Sequence, residues 1–410
     1  MPRQLGDTDV AAVLAGLTAT DPRVVVSGNH ATPAQLLGLL DSALPSYRLV
    51  TLNAQAGVPD RDGVVHETCF VGPGVRRSPR LTYIPARLSL IPTMFSSTLA
   101  PDVVLLHTTP PRGGAVSLGI EVNVLPAAIE AARRRGGLVL AQTNEHMPWT
   151  SGDALVPVDH LDGLVAVDEP LAPASTRVAT AEAEAIAGSV APLVRDGATL
   201  QTGIGAIPDA VLAALESRRG LRVWTEMFSD GVLALERAGA LDVDSPIVAS
   251  FLFGSAELLA WVDDNPRLRM LRTEKTNDPA LISRRPAMVS VNSALQVDLF
   301  GQANASWIDG RVYSGLGGQS DFVVGALHSP GGQAVMALAS WHPRARCSTV
   351  VGRLDGPATS FQHSWIVSEQ GRAPVWSQSQ REQSRQIIEH VAHPDARDGL
   401  RDAAVQLGLA

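Results

Sequence analysis

Short unbroken apolar runs recur along the first half of the chain, at 23–27 (RVVVS), 48–52 (RLVTL), 102–107 (DVVLLH), 138–142 (LVLAQ) and 164–167 (LVAV). Runs of this kind, bounded by polar or turn residues, predict strands of a parallel sheet buried on both faces. Between them the apolar positions take helical spacing, as at 33–42 (PAQLLGLLDS) and 126–135 (PAAIEAARRR). Pro33 and Pro126 stand where a first helical turn accepts proline. The alternation predicts βαβ units and an α/β fold.

The pattern pauses at 169–176 (EPLAPAST), rich in proline and small residues, and a long Ala/Glu helix is expected at about 178–194. It then restarts, with candidate strands at 198–202, 221–225, 246–253, 287–299, 334–339 and 364–368. Two domains are expected, 1–175 and 176–410. The halves resemble each other locally: SGNHATPAQLLGLL (27–40) aligns with TGIGAIPDAVLAAL (202–215), matching Gly28 to Gly203, Ala31 to Ala206, Pro33 to Pro208 and Leu40 to Leu215. Turn chemistry alone could place Gly and Pro alike at two strand–turn–helix units. The other reading is a duplicated domain, with a cleft between the copies as the favoured place for a ligand.

Composition narrows the class. With 410 residues and 45% hydrophobic content the chain can bury two cores. A net charge of −8 gives no global attraction to nucleic acid or to an anionic membrane. The N-terminal residues lack a secretory pattern, and no apolar run approaches the roughly 20 residues of a membrane span. The two cysteines, Cys69 and Cys347, argue against a disulfide framework and suit a reducing, cytoplasmic compartment. No Cys or His cluster has zinc-ligand spacing, so no metal site is expected.

Three segments carry candidate chemistry. In QTGIGAIPDAV (201–211), Gly203 and Gly205 permit a sharp turn, and the helix opening at Pro208 offers free N–H groups to an anion. The third glycine of a dinucleotide fingerprint is missing. In WTEMFSDG (224–231), Glu226 follows a candidate strand end and is flanked by Trp224, Met227 and Phe228. A dry, positioned carboxylate there is a competent nucleophile toward an activated acyl group, whereas a solvated loop glutamate would be inert. In SGLGGQSDFVVGA (314–326), Gly315, Gly317 and Gly318 form a slim backbone able to aim N–H groups at an oxyanion. No GxSxG elbow is present. Together the three fit acyl transfer.

These motifs, with FVGPGVR (70–76), SLGIEVN (117–123), NEHMPWTSGD (144–153), TNDP (276–279), VNSALQVDLFGQAN (291–304), YSGLGGQSDF (313–322), SEQG (368–371) and AHP (392–394), resemble the acetyl-CoA hydrolase/transferase family, the class I CoA-transferases, across nearly the whole chain. The resemblance implies two similar open α/β domains with the active site between them, the second carrying the catalytic glutamate and the CoA site. It implies Glu226 as covalent nucleophile, the Gly318 N–H and that of Ala206 or Ile207 as oxyanion donors, and Asn277 beside the reacting carbonyl. Gly203, Gly205, Ala206, Ile207, Gly315, Gly317 and Gln319 are the implied substrate- and CoA-binding positions. Coenzyme A and its thioesters enter as substrates, with small carboxylic acids; no permanently bound cofactor is implied, and a homodimer is the default assembly. Two stretches depart from the family pattern. Trp149 stands in MPWT where many members have arginine, which puts the hold on the acid substrate in question. RAPVWSQ (372–378) replaces an ADLRG-type stretch, which does the same for CoA-side or packing contacts. Three activities stay open: CoA transfer between short-chain acids, thioester hydrolysis at the same glutamate, and silent acyl-CoA binding.

Overall fold

A computed structural model describes residues 3–171, 180–358 and 362–410. The chain forms two compact units. One comprises Met1–Ala174, Val248–Lys275 and Val312–Gly317; the other comprises Ser175–Ile247, Thr276–Arg311 and Gly318–Ala410. Most of the proline-rich segment expected to separate the domains, and the expected start of the helix after it, lie outside the described residues.

In the first unit the main sheet is built from β1 (Arg3–Gln4), β2 (Arg23–Val26), β3 (Tyr47–Val50), β4 (Val64–Thr68), β5 (Leu81–Tyr83), β6 (Val103–Thr108), β7 (Leu138–Asn144) and β8 (Gly163–Val167). They form one sheet in the order β1-β8-β7-β6-β2-β3-β4-β5, parallel throughout. The five apolar runs became β2, β3, β6, β7 and β8. Strands β4 and β5 carry no comparable run. Their hydrogen bonds to β3 and to each other make them strands, and β5 pairs on one side only.

Two helices follow the sequence pattern. In α1 (Ala34–Ala43), Pro33 occupies the N-cap and Leu36, Leu37 and Leu40 are buried. In α2 (Leu125–Arg135), proline lies in the first turn and Gly136 closes the helix at φ 73°, a left-handed cap that glycine adopts without strain. Val24, Val26, Leu36, Leu40, Val103, Leu105 and Leu140 lie in one core.

The second unit repeats this plan. Six strands of its main sheet, β9 (Thr199–Thr202), β10 (Arg222–Trp224), β11 (Met288–Ser293), β12 (Gln333–Ala337), β13 (Trp365–Ser368) and β14 (Gly371–Pro374), lie side by side as β10-β9-β11-β12-β13-β14. All pairs are parallel except β13 with β14. In each unit a central strand (β2, β9) has the next strand on one side (β3, β10). Later strands extend on the other side (β6-β7-β8, β11-β12-β13). The order therefore reverses between β2 and β6, and between β9 and β11. Such reversals open a crevice at the carboxyl ends of the strands, where α/β folds take ligands. The SGNHATP and TGIGAIP segments leave β2 and β9 at these two points, so the internal sequence match marks an equivalent place in two similar α/β units.

The expected strand at 287–299 is broken. Beyond Ser293 the chain leaves the sheet, Leu295 N donates to Asn304 O, and Gln296–Asp298 pairs elsewhere. The divergent RAPVWSQ stretch supplies the edge strand β14, and its Ala373 and Val375 lie in the second core with Met336, Ile366 and Ile387. That stretch has a packing role here.

Candidate active site

The second unit brings Glu226, Asn277 and Gly318 together. Strands β9 and β10 run in register, Thr199 beside Arg222 and Leu200 beside Val223. Past the paired residues, the buried Thr225 hydroxyl lies 3.1 Å from Thr202 O and 2.9 Å from Met227 O. This ties the two strand ends and sets Glu226 next to the turn that starts at Gly203. Trp224, Met227 and Phe228 are buried around it.

Glu226 is half-buried as a residue, and its carboxyl group is desolvated. Asn277 Nδ2 donates to Glu226 Oε2 at 2.7 Å. Asn277 is itself fully buried, and the Thr276 hydroxyl donates to its Oδ1 at 2.7 Å. The next two residues of the TNDP motif have a local task. Asp278 caps the one-turn helix Pro279–Ile282 by accepting from Ala280 N at 2.8 Å, and Pro279 opens that helix. The motif thus fixes the backbone immediately after Asn277.

Gly318 is the N-cap of α3 (Gln319–His328). Its φ of −99° is open to any residue, so the need for glycine is one of space. A methyl group here would overlap Glu226 Oε2 and Asn277 Nδ2. Only a bare α-carbon lets the backbone lie against the carboxylate. The first turn of α3 also leaves N–H groups without intrahelical acceptors, which favours negative charge nearby. At the second glycine turn the reason is conformational. Gly205, N-cap of the helix Ala206–Ala214, sits at φ 119°, a region L-residues rarely adopt. Ala206 and Ile207 are the first two residues of that helix, and the side chain of Ile204 just before it is 48% exposed.

Burial pushes the Glu226 carboxyl up to about 7. The Asn277 hydrogen bond opposes this by favouring the anion, and the charge of Asp321 adds to the rise. Asp321 is fully buried in the first turn of α3. At neutral pH the carboxylate is therefore present in quantity but is less well solvated than a surface glutamate.

The remaining expected positions are placed as follows. The Gln319 amide lies 3.6 Å from Met336 Sδ, a weak contact that turns it toward the sheet. Gly315 and Gly317 fall in the first unit, where Gly315 bridges to Phe70 and Gly317 O accepts from Leu88 N at 2.9 Å. Trp149 is also in the first unit. Its backbone N–H donates to Asp263 Oδ1 at 2.7 Å, and the Arg112 guanidinium, paired with Asp264, lies 4.7 Å from its ring centroid. Sequence reasoning passed over two residues around Glu226, Asp321 and Thr276, and took Trp224 only as an apolar flank, whereas its indole N–H donates to Thr276 O at 3.0 Å. Thr276 and Asp321 lie within quoted motifs, but nothing in their type marks them, because their effect on Glu226 acts through space. Among the described residues no group of three or more His, Cys, Asp or Glu side chains is arranged to hold a metal ion. No helix there is long and apolar enough to cross a membrane.

The chain is similar to known proteins along most of its length. Residues 23–174 match the model of the acetyl-CoA hydrolase/transferase N-terminal domain, and residues 254–404 match that of its C-terminal domain. A succinyl-CoA:acetate/propanoyl-CoA:succinate CoA transferase of Fasciola hepatica is 34% identical over 95% of this chain and 86% of its own length. A 4-hydroxybutyrate coenzyme A transferase of Clostridium kluyveri is 35% identical over 82% of this chain and 80% of its own. Among solved structures, RipA from Yersinia pestis aligns with a TM-score of 0.91 at 27% identity, covering 98% of this chain and 97% of that one.

Proposed function

Because the chain belongs to the acetyl-CoA hydrolase/transferase family, we propose that this enzyme moves coenzyme A between short-chain carboxylic acids through a glutamyl-CoA thioester on Glu226. The observation that carries the reading is the Glu226 carboxylate, desolvated, held at 2.7 Å by Asn277 and lying against the bare backbone of Gly318.

Glu226 Oε attacks the thioester carbonyl of an acyl-CoA. The new C–O bond and loss of the C–S bond give a mixed anhydride and CoA thiolate. The thiolate attacks the Glu226 carbonyl carbon, the anhydride C–O bond breaks, and the first acid leaves as its carboxylate. A glutamyl-CoA thioester remains. A second carboxylate then runs the sequence in reverse and leaves as the new acyl-CoA. One thioester replaces another, so the exchange is nearly balanced in energy and needs no ATP. Each attack creates an oxyanion, stabilised by the N–H of Gly318 and that of Ala206 or Ile207. Asn277 holds the glutamate in its attacking position and favours its ionised form.

The same intermediate admits hydrolysis if water reaches it, so exclusion of water separates a transferase from a thioesterase. The test is mass spectrometry of the protein mixed with acetyl-CoA and then reduced with borohydride. Modification of the single peptide containing residue 226 is expected. An unmodified protein that still turns over overturns the covalent route. Release of free CoA at equal rates with and without acceptor acid assigns hydrolysis instead.

A further inference from the structure

We propose that Thr276 is a positioning residue for the reacting carboxylate: its hydroxyl holds the Asn277 amide with Nδ2 turned toward Glu226, and Trp224 anchors Thr276 in turn. The inference rests on Glu226 being the nucleophile and goes beyond that assignment by naming what orients its partner.

An asparagine amide can rotate by half a turn and exchange donor for acceptor. With Oδ1 turned to the glutamate, an ionised carboxylate would face a second acceptor, and the attacking form would be disfavoured. The protein supplies a partner for each end. Thr276 Oγ1 donates to Asn277 Oδ1 at 2.7 Å, and Asn277 Nδ2 donates to Glu226 Oε2 at 2.7 Å. Thr276 and Asn277 are both fully buried, so water does not stand in for a lost partner. Thr276 is held from behind. Trp224 Nε1 donates to its carbonyl at 3.0 Å. The Arg285 guanidinium lies 4.2 Å from the Trp224 ring centroid and is itself held by Leu281 O at 3.2 Å. The connected run is Arg285, Trp224, Thr276, Asn277 and Glu226. The charged group acting on Glu226 from α3 is Asp321, which opposes Asn277 by favouring the protonated form.

The proposal is tested with T276V, which keeps the shape and removes the donor, beside T276S, which keeps the hydroxyl. In T276V, Asn277 Oδ1 loses its partner whenever Nδ2 serves the carboxylate. The acid limb of the pH–rate profile moves to higher pH by about one unit, and kcat at neutral pH falls about 10- to 100-fold, with KM for acyl-CoA little changed. T276S restores the limb to its wild-type position. W224F, which keeps the aromatic packing and removes the indole N–H, moves the limb in the same direction and carries the test if T276V fails to fold. A T276V profile that superimposes on wild type overturns the proposal. So does a loss of rate with the acid limb unmoved, because that is the signature of a merely structural threonine. Failure of the parent reading appears elsewhere, as turnover retained in E226Q.

Discussion

Asn277 Nδ2 lies 2.7 Å from Glu226 Oε2, and the α-carbon of Gly318 lies so close to both that a methyl group there has no room. One amide, one carboxylate and one bare stretch of backbone thus share a space from which any added atom must displace a functional one. The first prediction concerns that space. In G318A, the methyl forces Glu226 and Asn277 apart and moves the backbone N–H. A rate loss of about 10²–10³ is expected, comparable to deleting one oxyanion donor. The melting temperature should fall only modestly, because side-chain ends rather than backbone atoms meet the methyl. Steady-state kinetics and a melting curve check both halves.

Removal of the nucleophile should be far more severe. E226Q keeps the shape but cannot form the anhydride, and a loss of about 10⁴-fold or more is expected. No borohydride-reducible adduct should form with any acyl-CoA. Turnover near the wild-type level in E226Q would remove the basis of the mechanism.

The proton on Glu226 links activity to pH. The attacking form is the carboxylate, and burial pushes this group up to about 7. The rate at limiting acyl-CoA should therefore rise with pH and level off above about pH 8. In N277A the hydrogen bond that favours the anion is lost, so the acid limb should move further up and kcat should fall about 10- to 100-fold. A limb that moved down would contradict the assigned role of Asn277.

Stability should respond with the opposite sign. Folding raises the affinity of Glu226 for its proton, from an ordinary 4.5 to about 7. Between these values the folded state binds more protons than the unfolded state, so this group's contribution is complete below about pH 4.5 and is lost as pH rises through about 7. E226Q, which titrates in neither state, should gain on the wild type over that window, by on the order of 2 kcal/mol at pH 8. Urea unfolding of both proteins at pH 5 and pH 8 measures the difference. An equal gap at the two pH values would place the carboxyl group in solvent.

Much of the scaffold can be read directly from the chain. The runs that became β2, β6 and β7 are unbroken apolar stretches because a strand covered on both faces has no polar side to show. Local rules also mark the turn at Gly205, which needs positive φ, and the Asp278–Pro279 helix start. The order of strands is not local. The divergent 372–378 stretch has little apolar run to announce it, yet it forms an edge strand because β13 offers it a free side.

The sequence by itself determined which residue types are available at each motif, the alternation of strand and helix, and a repeated glycine turn in the two halves. The fold decided what those residues are to one another. Glu226 and Asn277 are far apart along the chain and meet only because two loops converge in the second unit. Segments 248–275 and 312–317 join the first unit although they interrupt the second in sequence. The elevated proton affinity of Glu226 arises from burial and from Asp321 on helix α3. Desolvation and through-space charge depend on distance in three dimensions, and no local pattern along a chain encodes them.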